Sequence, residues 1–146
     1  MNLVFSSKAP QKSRAALEEL FYFNPLQHRV RAGIINSLEH FGHPRLEEST
    51  GGISICVGEH TPQTLFAFDR DTSGGDPVGV VVFMRTSSAD MAIMHIAVHP
   101  DYTLKKSTSD VGLGAVLIEK VREIAARIVG VQRIIFFYRK EVVIRV

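Results

Sequence analysis

Seven consecutive residues, Val78-Gly79-Val80-Val81-Val82-Phe83-Met84, carry no polar side chain. This run reads as a strand apolar on both faces. Breaker residues bound it. Asp71-Thr72-Ser73-Gly74-Gly75-Asp76-Pro77 precede the run and Ser87-Ser88-Ala89-Asp90 follow it closely. The run is far shorter than the ~20 residues that a membrane-spanning helix requires, and no segment is expected to cross a bilayer.

Shorter strands flank it. Ile53, Ile55 and Val57 alternate with Ser54, Cys56 and Gly58, as in a half-buried strand, and Thr64 to Asp69 follows after Pro62. Met91 to Val98 forms the next strand, ended by His99 and Pro100. The three short connections between these four strands predict an antiparallel meander.

Helical spacing brackets the strands. Asn24, Pro25 and Gln27 form a helix start, with a cap, a proline at the first helical position and a glutamine three residues after the cap. Leu26, Val30, Ile34, Leu38 and Phe41 then make one apolar stripe, closed by Gly42. A shorter helix from Ser13 to Phe23 sets Leu17, Leu20 and Phe21 against Arg14, Glu18 and Glu19. A third helix, Gly112 to Val129, carries Val116, Leu117, Val121, Ile124, Ala125 and Ile128 on one face. Gly130 ends it and Val131 to Tyr138 is a fifth strand, reached by a crossover long enough for parallel pairing. The fold class is therefore mixed α/β: two N-terminal helices, an antiparallel meander, then strand-helix-strand. With 146 residues, 45% of them hydrophobic, one domain spanning 1–146 is expected.

Composition excludes several kinds of chemistry. One cysteine, Cys56, permits no internal disulfide and no multi-cysteine metal cluster. The six histidines contain no H-x-x-x-H or H-E-x-x-H pair, so no metal is expected. A net charge of +2 is too small to argue for a nucleic acid partner. The basic stretch with Arg127, Arg133, Arg139, Lys140 and Arg145 lacks an RNA-binding signature, and it reads as a charged edge strand. The N-terminus shows no charged region followed by an apolar core, which predicts a cytoplasmic protein.

The segment most suited to bind a ligand is Ser109-Asp110-Val111-Gly112-Leu113-Gly114-Ala115. It enters the third helix, where the first amides lack intrahelical acceptors and the dipole favours an anion. Gly112 and Gly114 remove the Cβ atoms that would keep a phosphate away. A dinucleotide fingerprint would need Gly or Ala where Leu117 stands, and a Walker loop would need Gly-Lys-Ser/Thr. Neither is present.

From Pro77 to Tyr138 the chain resembles the GNAT superfamily of acyl-CoA-dependent N-acyltransferases. The likeness rests on the strand Met91–Val98, the following His99-Pro100-Asp101-Tyr102, Gly112-Leu113-Gly114-Ala115 at the helix start, and the strand beginning Gly130-Val131-Gln132-Arg133-Ile134. The resemblance implies that acetyl-CoA or another acyl-CoA lays its pantetheine arm along Ile96, Ala97 and Val98. It implies a pyrophosphate resting on the amides of Val111, Gly112, Leu113, Gly114 and Ala115, and a strand amide near Val98 that polarises the thioester carbonyl. An amine acceptor would attack directly. The family pattern has Arg or Gln where Ser109 stands, and its later helix and final strands are expected to be missing or reduced to Glu141–Val146. A GNAT-like module that binds acyl-CoA without transferring it is the alternative.

Three residues are candidates for proton transfer. His95 interrupts an apolar strand and titrates near neutrality, as a general base would; its structural alternative is a hydrogen-bonded core histidine. Glu59 is a carboxylate able to deprotonate an ammonium through water, and Tyr138 is the phenol placed to act as general acid. Lys105 and Lys106 are candidates to reach the phosphates in place of the family's arginine. Exposed sheet edges would permit two copies to pair as a homodimer.

Overall fold

The computed structural model describes residues 2–22, 31–71, 74–102, 112–136 and 142–146. In chain order the elements are β1 (Leu3–Ser6), α1 (Arg14–Tyr22), α2 (Arg31–Phe41), β2 (Pro44–Ser49) and β3 (Gly52–Val57). Then come β4 (Gln63–Asp69), β5 (Pro77–Arg85), β6 (Asp90–Val98), α3 (Leu113–Ala126), β7 (Arg133–Phe136) and β8 (Val142–Arg145). The main sheet has the order β1-β4-β5-β6-β7-β8, and β2 with β3 forms a separate two-stranded sheet. Every pair is antiparallel except β6 with β7. The mixed α/β class expected from the pattern is the one observed.

The apolar run occupies β5, and both of its faces are covered. On one face Val81 and Phe83 join Met91, Ile93 and Ile134 beneath Leu113, Leu117, Val121 and Ala125 of α3. On the other, Val80, Val82, Phe66, Met94 and Ala97 pack with Leu17, Leu20 and Phe21 of α1 and Ile53, Ile55 and Val57 of β3. Each fully buried aliphatic or phenyl side chain contributes ~1.5–3 kcal/mol. The two layers are therefore the main source of stability.

Two expectations are corrected. The meander holds for β4, β5 and β6, but β3 pairs with β2 instead of β4, whose other edge is taken by β1. The polar composition of Pro44–Ser49 and the four-residue length of β1 conceal both strands in the sequence. In α2, Ile34, Leu38 and Phe41 are only half-buried, and the buried side chain is Ser37. The helix meets the sheet through its small residue because that residue bonds to β6. The predicted start of this helix, at 24–30, lies outside the described residues.

Cys56 is buried, and burial raises its thiol pKa. Arg133 pairs with Asp90 at 2.8 Å across the β6–β7 junction, and β8 forms the sheet edge. Within the described residues no helix is long and apolar enough to cross a membrane, and no group of three or more His, Cys, Asp or Glu is placed to hold a metal ion.

Gly79 sets how closely α3 approaches β5. A Cβ there would lie 2.9 Å from Leu113 Cδ2 and 3.2 Å from Leu117 Cδ1, both on fully buried side chains. Gly79→Ala is expected to lower unfolding free energy by about 1–3 kcal/mol, the usual cost of overpacking. Chemical denaturation checks it, and an unchanged midpoint would show that α3 can retreat freely.

Candidate functional site

β6 carries one residue too many for its partner. Val82 faces His95 while Phe83 faces Ile93, so Met94 is an extra residue on β6 and forms a β-bulge. The consequence is visible in the packing. Ile93 and Ile96 both face α3, while Met94 and Ala97 both face α1, a phase that an unbroken two-residue period forbids.

The bulge is held from α2. The Ser37 hydroxyl donates to the Met94 carbonyl oxygen, and both residues are fully buried. One residue along, the His95 ring lies buried with Nε2 donating to the Gly42 carbonyl at 3.4 Å. The turn at Gly42 is tight. Its φ is +100°, and a Cβ there would sit 2.7 Å from the Gly58 Cα.

Burial lowers the His95 pKa to about 4; the Gly42 carbonyl opposes that shift and nearby His43 adds to it. The imidazole is therefore neutral at physiological pH. The structure gives it the environment of a hydrogen-bonded core histidine. Glu59 stands in the exposed turn after β3, next to Gly58. Its turn approaches the His95 side of the sheet through the close contact of Gly58 with Gly42 and the bond from Gly58 N–H to the His43 carbonyl at 3.1 Å. Tyr138, Lys105, Lys106, Ser109 and Val111 lie outside the described residues.

Pairing between β6 and β7 runs from Asp90↔Arg133 to Ile93↔Phe136. β6 continues for five more residues, Met94 to Val98, paired with β5 from His95 onward. Its last residue meets the start of α3. A Cβ on Gly114 would lie 3.9 Å from Val98 Cγ2, an ordinary contact, with no other contact within 4 Å among the described residues outside the helix itself. Gly114 is thus required neither by packing nor by a left-handed backbone. Gly112 is the N-cap in extended conformation, with φ −69° and ψ 156°, and it offers no side-chain cap to the amides that follow. Its carbonyl receives the first intrahelical bond, from Val116 N–H at 3.3 Å. Leu113, which is fully buried, anchors this turn to the sheet, whereas Ala115 is exposed.

A second tie fixes the exit from β6. The Tyr102 hydroxyl donates to Asp69 Oδ2 at 2.6 Å, while the Asn2 and Asp71 amides donate to Oδ1 at 3.1 and 3.0 Å. Asp69 is buried, so its carboxylate joins the end of β4 to the segment following β6. The sequence reading missed Asp69 and Ser37. Their signals are slight: an acid closing an apolar strand and a hydroxyl on an inward helix turn. A separate depression of about 400 Å³, lined by Lys8, Gln63, Leu65, Phe83 and Ile124 among others, adjoins the start of β4. It lies at the opposite end of the sheet from Val98.

No protein-family model matches this sequence, and comparison with curated proteins finds no match. Solved structures do resemble it. N-acetylglutamate synthase from Neisseria gonorrhoeae, solved with coenzyme A and N-acetyl-glutamate, aligns with a TM-score of 0.52 at 14% identity, over 93% of this chain and 25% of that one. The IAA acetyltransferase from Bacillus cereus gives 0.48 at 19% identity, over 92% of this chain and 65% of that one. The loading GNATL domain of CurA from Lyngbya majuscula gives 0.49 at 15% identity, over 93% and 64%. The chain spans about two thirds or less of the length of each of these proteins. The chain shares its fold with the part of the Neisseria gonorrhoeae structure that it covers.

The state of His95 makes a stability prediction. The ring is neutral when folded down to about pH 4, whereas the unfolded chain binds the proton near 6.5. Between those values the unfolded state holds more protons, so stability is present above 6.5 and lost as pH falls towards 4. The loss from this one group is about 3 kcal/mol. Denaturant melts from pH 7 to 4 are expected to show this slope, and His95→Leu to flatten it. An equal slope in both proteins would place the lability elsewhere.

Proposed function

We propose that this protein binds an acyl-CoA, in the expected case acetyl-CoA, and transfers the acyl group to an amine by direct attack. One observation carries the reading: the end of β6 at Val98 meets the start of α3 at Gly114, where among the described residues only the Val98 side chain comes within 4 Å of a Cβ placed on the glycine. The resemblance to the GNAT superfamily supports it, and the Neisseria gonorrhoeae structure that shares this fold was solved with coenzyme A.

The residues fit such a ligand by their chemistry. Glycines at 112 and 114 leave the first amides of α3 open to an anion, and the helix dipole adds favourable potential there. The main chain of Ile96, Ala97 and Val98 is proposed to pair with the pantetheine arm like an added strand. The amides from Val111 to Ala115 are proposed to hold the pyrophosphate, with Lys106 supplying a point charge. A bound acyl-CoA supplies an activated thioester. The chain's part is to position it and to aim a strand amide at its carbonyl oxygen, where negative charge grows during attack.

Proton transfer is proposed for Glu59 and Tyr138. Glu59 is exposed and is the proposed base for the acceptor ammonium, acting through water. Tyr138 is proposed to protonate the departing thiolate. His95, sealed and neutral, serves the scaffold in this reading. That burial also favours a second reading, a module that binds acyl-CoA without turning it over.

Calorimetric titration with acetyl-CoA tests binding. Gly114→Val is expected to weaken affinity at least about tenfold, ~1.4 kcal/mol, while leaving the thermal midpoint nearly unchanged. Equal affinities would remove the proposed cradle. A free-thiol assay over a panel of amines separates the two readings. Release of coenzyme A, reduced by Glu59→Gln, supports transfer. Saturable binding with no thiol released from any amine supports the module.

A further inference from the structure

The Met94 bulge creates a problem that α2 solves. An extra residue in one strand leaves a backbone group that the neighbouring strand cannot satisfy, and a buried carbonyl left without a partner destabilises the fold. Met94 is wholly buried, and its carbonyl takes its hydrogen bond from the Ser37 hydroxyl. Ser37 is the one buried side chain of α2 among the described residues. A helix that packed on the sheet for hydrophobic reasons alone would present Ile34 or Leu38 here. Those two residues are instead half-buried.

The bond controls more than one atom. The peptide unit is planar, so fixing the Met94 carbonyl fixes the direction of the His95 amide in the same plane. The His95 ring adds a tie to the Gly42 carbonyl, so α2 grips β6 at two successive residues. Beyond these ties β6 runs on through Ile96, Ala97 and Val98 to the start of α3. The angle at which these residues leave the bulge sets where their amides point.

We propose that Ser37 is a positioning residue for the acyl group: by holding the Met94 carbonyl it fixes the bulge and aims the β6 main chain at the thioester carbonyl. This rests on the acyl-CoA reading above. Ser37 touches no ligand itself. Its loss lets the 94–95 peptide turn, which slackens the polarisation of the carbonyl but leaves the phosphate end of the site, built on α3, intact.

Isotope-edited infrared spectroscopy of carbonyl-labelled acetyl-CoA bound to the full chain tests this, with coenzyme A affinity measured alongside. In the unaltered protein the carbonyl stretch is expected below its value in water. In Ser37→Ala it is expected to move back towards the aqueous value, while affinity for coenzyme A stays within about twofold. Ser37→Cys, with a weaker donor of similar size, is expected to fall between the two, and it serves in place of the alanine variant should that protein not fold. A stretch identical in all three proteins would overturn the role of Ser37 and leave acyl-CoA binding standing. So would equal losses of affinity for acetyl-CoA and coenzyme A with an unshifted stretch, the mark of a merely structural residue. If the unaltered protein binds no acetyl-CoA, the functional reading itself falls, and this proposal falls with it.

Discussion

Burial of β5 and β6 on both faces is the constraint from which the rest of the structure follows. Val80, Val81 and Val82 are wholly inaccessible, as are Ile93 and Met94 beside them. A strand pair of this kind gains its stability only when an apolar layer closes each side. α3 closes one, and α1 with the small β2–β3 sheet closes the other. The parallel β6–β7 pair is a corollary, because a helix covering the sheet returns the chain to the edge in the direction it left. The end of β6 and the start of α3 are brought together by the same packing. Gly79 matters at that point, since it lets Leu113 and Leu117 sit directly on β5.

Within this frame the bulge at Met94 separates two parts of β6. From Asp90 to Ile93 the strand is paired on both sides, to β5 and β7. Past the bulge it stays paired with β5, but its register and the faces of its side chains are shifted by one residue. Ser37, His95 and the Gly42 turn hold that shift from one side of the sheet. The Asp69 carboxylate fixes the exit through Tyr102. Polar groups inside an apolar core are costly unless bonded, and these are bonded to main chain or to one another. They spend stability on direction, which a binding strand needs and a purely apolar core does not supply.

Much of this architecture was legible in local pattern. The apolar run at 78–84, the alternation at 53–57, the inward face of α3 and the breaker residues between them mark elements whose periods are set by backbone geometry. The glycines at 112 and 114 were legible too, as positions where a side chain would intrude on an anion. Partner choice was not legible. Ile53, Ile55 and Val57 are buried whichever strand lies beside them, so their alternation is silent on whether β2 or β4 pairs with β3. His95 shows the same limit for a site residue. Its sequence position suits a base, and only the structure shows the ring buried on the Gly42 carbonyl, where burial keeps it neutral.

The sequence by itself determined most element types, the mixed class and the glycine-flanked start of α3, because caps, periods and missing Cβ atoms act within a few residues. Tertiary structure alone decided the β1–β4 and β2–β3 pairings, the bulge at Met94 and the grip of Ser37 on its carbonyl. The physical reason is that a backbone carbonyl has the same chemistry at every position. Which donor reaches it depends on how two distant segments pack, and Ser37 and Met94 stand 57 residues apart.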